Sequence, residues 1–441
     1  MRLRALIPLA LVCALVLAPA PAQGATLAQN LTRVGVAPAD RSEYLATVAE
    51  ARRLAKRLGG SRRTALNAVV ASATKMANRP DFTPDLARIV FREVGANVGY
   101  LESNALPGSG TRIRLDGVVY ESYAGQGLRI QPLGTFFAIL EPGRQIADEG
   151  GVAAAFDAAL VIALADGDTY DLPYLFPYDG ASPPWESAMA EGVAARAGLS
   201  AWDRQGDDRH LDAAIRFGNA AIADAISVDG NGLWFPLYVF KPGFRVLNGH
   251  LEGVLAMGDL ADATGDDGFA DAFARSVAAT KAVLPRYDTG GWGHYAPGQD
   301  APVKYMTLMA SQLKDLGAMT GDPAFTALGD RFSLDLKTPP VLKGPAKAPK
   351  PLRLARLKPG VKPKLKLLVR RDKPVSLILR VQTTRGRPAG VGPIERSVAS
   401  GSGRITVTLP RKRGTYRIVA SATDWAGNKV EGVVLTTVRV R

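Results

Sequence analysis

"LNGHLEGVLAMGDLADATGDDGFADAFARSVAATKAVL", residues 247–284, sets apolar side chains every three to four positions on both sides of a short break, TGDDG (264–268). That is the period of a helix burying one face, and Gly and Asp are residues that end one helix and start the next. The stretch reads as two helices and a tight turn. The same period runs through 149–165, 185–204, 208–226, 302–319 and 323–334, the last two joined by TGDPA (320–324). Repeated helical hairpins of this size predict a multidomain, mainly α chain built on an α/α toroid, an incomplete α/α barrel whose loops form a pocket at one face.

Working outward, residues 25–110 form an N-terminal helical region, with helical periodicity over 41–100. "TRIRLDGVVYESYAGQGLRIQP" (111–132) alternates around Asp-Gly and Gly-Gln-Gly, which predicts short strands. This hairpin is taken with the toroid as a unit, 111–336. "KTPPVLKGPAKAPKP" (337–351) is rich in Pro and Lys, lacks a period and reads as an extended linker. Residues 352–441 hold β-branched alternating runs, such as VSLILRVQT and GTYRIVASATD, and are expected to form a small Ig-like β-sandwich. Because the candidate motifs lie upstream of the linker, a chain ending near residue 336 is expected to stay folded.

Residues 1–24 have a basic start, an apolar run and an Ala-Pro-Ala, the pattern of a cleaved signal peptide. The expected location is secreted or cell-surface, with no transmembrane segment in the mature chain. Cys13, the one cysteine, leaves with the signal, and three histidines give a zinc cluster little material. Charge is uneven. Residues 337–441 carry 25 Lys and Arg against four Asp and Glu, a net of +21; the whole chain is +14, so the rest is −7. A basic C-terminal domain suits an anionic cell-wall polymer; nucleic acid is not expected.

Phosphate-binding Gly-rich loops, His-Glu-x-x-His and Gly-x-Ser-x-Gly are missing. "VDGNG" (228–232) has the look of a calcium loop but reads better as a hairpin turn. Three stretches gather aromatic and polar residues: SPPWESAMAEG (182–192), the run 232–260, and VLPRYDTGGWGHYAPGQDAPVKYMTLMASQL (283–313).

Over about residues 120–335 the chain resembles the C-terminal catalytic region of the D-glucuronyl C5-epimerases, which act on heparosan-type glycans. The resemblance rests on W-x-SAMA-x-G from Trp185, VLNG (246–249), TGD (264–266), LP-x-YDTG (284–290), and a tyrosine, Tyr305, followed six residues on by Ser-Gln-Leu. It implies C5-epimerisation of a uronic acid (glucuronate to iduronate type) in an acidic extracellular polysaccharide, with no cofactor and no metal. A base removes the C5 proton beside the carboxylate, and an acid returns one to the opposite face. The catalytic residues it implies are Tyr238, Tyr295 and Tyr305. The substrate-binding residues are Trp185, Arg245, Asn248, His250, Trp292 and His294. Pro236 and Leu237 stand where the family has acids, and APGQD (296–300) replaces a run with a basic residue. Arg245, Lys304 or His294 are the candidates to meet the carboxylate instead. The alternatives are a polysaccharide lyase, which begins with the same proton abstraction, and a non-catalytic acidic-glycan-binding protein of the cell surface. A glycoside hydrolase would need a carboxylate pair, with Glu186, Glu191, Glu252 and Asp288 the candidates.

Overall fold

A computed structural model describes residues 25–140, 151–228 and 230–441. Residues 1–24, which the sequence pattern reads as a signal peptide and which include Cys13, lie outside the described residues. The chain is mainly helical with several small sheets and divides into two compact units.

The first unit comprises residues up to Gln131 together with Pro173–Pro184. It holds helices α1 (Leu27–Arg33), α2 (Pro38–Arg57), α3 (Gly60–Ala77) and α4 (Pro84–Ser103), then strands β1 (Arg112–Leu115), β2 (Val118–Tyr123) and β3 (Gly127–Ile130). Thr83 caps α4 by accepting from Leu86 N–H, and Pro84 supplies a helical φ at the first turn. α4 also fixes the sheet. Asn97 exchanges two hydrogen bonds with the Leu128 backbone, at 2.7 and 2.9 Å, and Glu93 pairs with Arg129 at 2.7 Å while accepting from Ile130 N–H. The three strands, expected with the toroid, therefore belong with the N-terminal helices. Their buried polar partners sit on α4, which no strand pattern announces.

The second unit comprises 132–172 and 185–441. It begins with α5 (Pro132–Leu140), α6 (Gly151–Ala159), and the strand pair β4 (Leu164–Asp166) and β5 (Thr169–Asp171). Three helical hairpins follow. These are α7 (Ala188–Gln205) with α8 (Asp208–Ala223), α9 (Leu247–Thr264) with α10 (Asp267–Val283), and α11 (Val303–Thr320) with α12 (Pro323–Asp335). One device makes all three turns. Gly206, Gly265 and Gly321 close α7, α9 and α11 at φ of 65–68°, a left-handed conformation that favours glycine. Asp207, Asp266 and Asp322 come next, and each carboxylate accepts from backbone N–H groups of the following helix.

α9 packs against both α7 and α11, and each of the three packs against the second helix of its own hairpin. α7 and α9 approach closely, because a Cβ on Gly192 would lie 3.2 Å from the Gly253 Cα. Three strand pairs decorate the return connections: β4–β5 before α7, β6 (Ile226–Val228) with β7 (Gly232–Trp234) before α9, and β8 (His294–Ala296) with β9 (Gln299–Asp300) before α11. The VDGNG stretch thus spans a hairpin turn, although residue 229 itself lies outside the described residues. Tight Gly-Asp turns occupy one end of the hairpins. The strand pairs and long loops occupy the other, at the starts of α7, α9 and α11.

Residues 337–441 form two antiparallel sheets on a shared core. One is β10 (Leu342–Lys343), β11 (Lys364–Arg371) and β14 (Gly401–Thr408). The other runs β13 (Ile394–Val398), β12 (Val375–Thr383), β15 (Gly414–Asp424) and β16 (Lys429–Val440). Alternation sends Leu365, Leu367 and Val369 inward and Lys364, Lys366 and Arg370 outward. The 337–351 segment is not a free tether: Leu342 and Lys343 pair with β11, and Leu352 bridges Val440 in parallel.

The sheets are also tied to the helical hairpins. Lys373, 1% exposed, directs its ammonium to the Asp335 and Thr338 carbonyls, to Thr338 Oγ1 at 3.1 Å, and toward Asp424 at 3.6 Å. Its Nζ lies 5.9 Å from the centre of the Trp292 ring. Ser400 donates to both oxygens of Asp300, Asn428 donates to the Leu336 carbonyl, and Thr289 donates to the Asp372 carbonyl. Ending the chain near 336 would strip partners from Asp300 and expose surface around Trp292, so the helical part is expected to lose stability without the sheets. A buried ammonium needs this ring of acceptors.

Candidate active site

The strand-bearing end of the hairpins collects the aromatic residues. Trp185 precedes α7, Ser187 caps it, and the Glu186 carbonyl accepts from Val239 N–H at 3.2 Å. That bond ties the 182–192 stretch to the loop carrying Tyr238. The Trp185 ring meets Tyr238 edge-on at 5.9 Å and Phe240 at 5.5 Å. Tyr238 stacks with Phe244 at 6.3 Å, Phe244 meets Tyr295 at 6.2 Å, and Tyr295 meets Tyr305 at 4.9 Å. Met189, Leu237 and Val246 pack beneath this row. The three predicted catalytic tyrosines, from two separate stretches, thus join one row, and all three are half-buried. Tyrosines at such borders pair an apolar ring with a polar tip.

A second aromatic group has a different character. Trp234, His250, Tyr287 and Trp292 are each at most 1% exposed. His250 stacks on Trp234 at 3.8 Å; its Nδ1 accepts from Phe235 N–H at 3.1 Å and its Nε2–H donates to Thr280 Oγ1 at 2.9 Å. Burial pushes its pKa down to about 3, so the imidazole is neutral. Trp292 donates to the Ala301 carbonyl at 2.8 Å, and Tyr287 to the Arg245 carbonyl at 2.9 Å. His250 and Trp292, predicted as substrate contacts, are core residues. Their polar atoms are consumed by the Phe235 and Ala301 backbone and the Thr280 hydroxyl, all within the protein.

The other predicted contacts divide. Trp185 borders the row. Arg245 is half-buried, lies 5.9 Å from the Trp234 ring centre and has no ion pair among the described residues. His294 is half-buried, with Nδ1 3.1 Å from the Arg286 carbonyl and Nε2 3.7 Å from Asp300. Asn248 is 1% exposed; Gln312 donates to its main-chain carbonyl, while its side-chain Oδ1 has no protein donor.

The four carboxylates named from the sequence also divide. Glu252 is tied to Arg196 and Gln312, and Asp288 to Arg331, so both are structural. Glu186 and Glu191 at the start of α7 face Asp224, which ends α8, and Asp171, which ends β5. Burial, and then the Asp224 and Asp171 charges, push Glu186 up to about 7. Burial pushes Asp224 up to about 6 and Glu191 well above the usual carboxylate range. Neither Glu191 oxygen nor Asp224 Oδ2 meets a conventional donor. A proton shared between two carboxyls satisfies both, as like charges at close range require. Asp171 and Asp224 carry no sequence signal; the fold brings them to α7 from separate connections. Among the described residues no group of three or more His, Cys, Asp or Glu is arranged to hold a metal ion.

The half-buried tyrosines and the proton-holding carboxyls both lie at the strand-bearing end of the paired helices. Residues 166–333 match the family described as D-glucuronyl C5-epimerase C-terminus. An uncharacterized protein of Methanocaldococcus jannaschii is 29% identical over 164 residues, covering 34% of this chain. The chain spans about half of that relative's length, 52%. Among solved structures, a GH76 α-mannanase of Bacteroides thetaiotaomicron aligns with a TM-score of 0.35 at 13% identity, covering 47% of this chain and 62% of that one. A sugar epimerase from a ruminal bacterium aligns with a TM-score of 0.32 at 12% identity, covering 47% and 59%.

Proposed function

We infer that the protein epimerises uronic acid residues at C5, glucuronate to iduronate in type, within an extracellular acidic polysaccharide. The observation that carries this is the joining of Tyr238, Tyr295 and Tyr305 in one half-buried row inside the segment that matches the epimerase family. One phenolic oxygen takes the C5 proton, and the electron pair spreads into the adjacent carboxylate as an enediolate. A second phenol returns a proton to the opposite face, restoring the carboxylate and inverting C5. Tyr238 and the Tyr295–Tyr305 pair both contact Phe244, so the phenols flank a shared apolar wall. Trp185, 7% exposed, backs the row, and Arg245, half-buried, offers a carboxylate partner. The hairpins fit an incomplete α/α toroid, and the C-terminal sheets an Ig-like domain.

Incubation with a heparosan-type polysaccharide in heavy water tests the proposal. Deuterium at C5 with intact chains is expected. An unsaturated uronate product would instead assign a lyase, and new reducing ends without unsaturation a hydrolase using Glu186 and Glu191. Tight binding with no exchange would leave a binding protein.

A further inference from the structure

The sheets of 337–441 carry a cleft of about 470 Å³, within the size range of ligand pockets, roughly 300–1,000 Å³. Five cations line it, Lys350, Arg353, Arg356, Lys364 and Arg441, with Leu352 and Leu357 among the apolar walls and no acidic residue. We propose that this cleft is a second carbohydrate site, which holds a carboxylated polysaccharide chain while the helical domain acts on it. The choice of a uronate polymer rests on the proposed epimerase function; the anionic character of the ligand does not.

The cleft has an ordered frame. Leu352 N–H donates to the Arg439 carbonyl at 2.9 Å, and Arg441 N–H and Leu354 N–H close the next two links at 2.8 Å. Arg411 donates to the Lys358 carbonyl at 2.9 Å and fixes the loop that follows. The cations are therefore displayed from fixed backbone, not from a mobile tail.

No acidic side chain lines the cleft to oppose them. Within 337–441 the ion pair among the described residues is Lys373–Asp424, and it is buried. Asp372 accepts from Val341 N–H, which leaves Glu395 and Glu431 as the exposed acids of this whole part. Five like charges around one cleft repel one another, and a bound polyanion relieves that repulsion. Guanidinium groups match carboxylates in fork geometry, and three of the five cations are arginines. No aromatic residue lines the cleft, so unpaired nucleic-acid bases find no stacking platform there.

The test compares the full chain with an Arg353→Ala/Arg356→Ala/Lys364→Ala variant. All three side chains are exposed, so the melting temperature should not change. Binding of a long glucuronate–N-acetylglucosamine polymer should weaken by about tenfold or more, and the dependence of binding on salt should flatten as fewer ions are displaced. Deuterium exchange into a uronate disaccharide, too short to span both sites, should be retained. Equal polymer binding by both proteins overturns the cleft, as does tighter binding of duplex DNA than of the uronate polymer in direct competition. Lost polymer binding in a protein that shows no exchange supports the cleft and defeats the epimerase reading instead.

Discussion

Two aromatic groups lie within one domain and differ in how deeply their polar rings are buried. The row from Trp185 through Tyr238 and Phe244 to Tyr295 and Tyr305 keeps its three phenols half-buried. The stack of Trp234, His250 and Tyr287, with Trp292 nearby in the chain, is sealed. Both groups come from the same motif-rich loops, and His294 and Tyr295 follow Trp292 within three positions. Recognition by motif alone cannot separate chemistry from support; burial and hydrogen-bond saturation can.

The largest effect should appear where the sealed group meets the β-sheets. A chain ending at residue 336 loses Lys373 beside Trp292 and the Ser400 bonds to Asp300. Its melting temperature should fall by on the order of 10 °C, the equivalent of a few kcal/mol in a domain of this size. A thermal melt that matches the full chain would make the sheets a mere appendage. His250→Ala should come next, destabilising by about 3 kcal/mol, because a cavity opens and the Phe235 N–H is left without its acceptor. Denaturant unfolding measures this, and an unchanged midpoint would move His250 out of the core group.

Tyr295→Phe and Tyr305→Phe should do the reverse. C5 exchange should drop by about 10²-fold, near 2.7 kcal/mol in barrier, while the melting temperature stays put. Tyr238→Phe belongs with them. Tyr287→Phe should cost about 1–2 kcal/mol of stability, since the Arg245 carbonyl loses its donor, and should spare turnover in the protein that remains folded. If all four substitutions lower activity only in proportion to folded protein, the comparison collapses and the row is packing.

The smallest effect is a pH dependence. Glu186, Glu191 and Asp224 hold protons more tightly folded than unfolded, so the folded state binds more protons between about pH 4 and 7. Their contribution is present below pH 4 and is lost as pH rises toward 7. Neutral His250 opposes this, since its folded pKa is depressed and its contribution grows with pH from about 3 to 6.5. Glu186→Gln should flatten the carboxyl part, so that unfolding midpoints at pH 5 and pH 7.5 move closer after His250 is allowed for. A variant with the wild-type profile would show that Glu186 titrates normally.

Much of the helical layout was legible in the sequence, because amphipathic period and Gly-Asp boundaries are local. The paired helices 247–264 and 267–283 sit almost where the spacing puts them. The tyrosines of the row were legible through motif resemblance. The strands at 111–132 were visible as strands, but their partners, Asn97 and Glu93, were not, since a buried polar contact depends on which helix face arrives opposite. The 337–351 segment looked like a tether because its composition lacks a period, yet the edge pairing of Leu342 and Lys343 to β11 needs backbone only.

The sequence by itself determined the helices, their turns, the alternating strands and the concentration of positive charge after residue 337. These follow from local propensity and composition, which the chain carries residue by residue. Only the tertiary structure decided that Tyr238, Tyr295 and Tyr305 share a wall, that His250 and Trp292 do not face solvent, and that Asp171 and Asp224 crowd Glu186 and Glu191 into keeping their protons. Each depends on how far water is excluded and on which distant group replaces it, and neither is encoded at any single position.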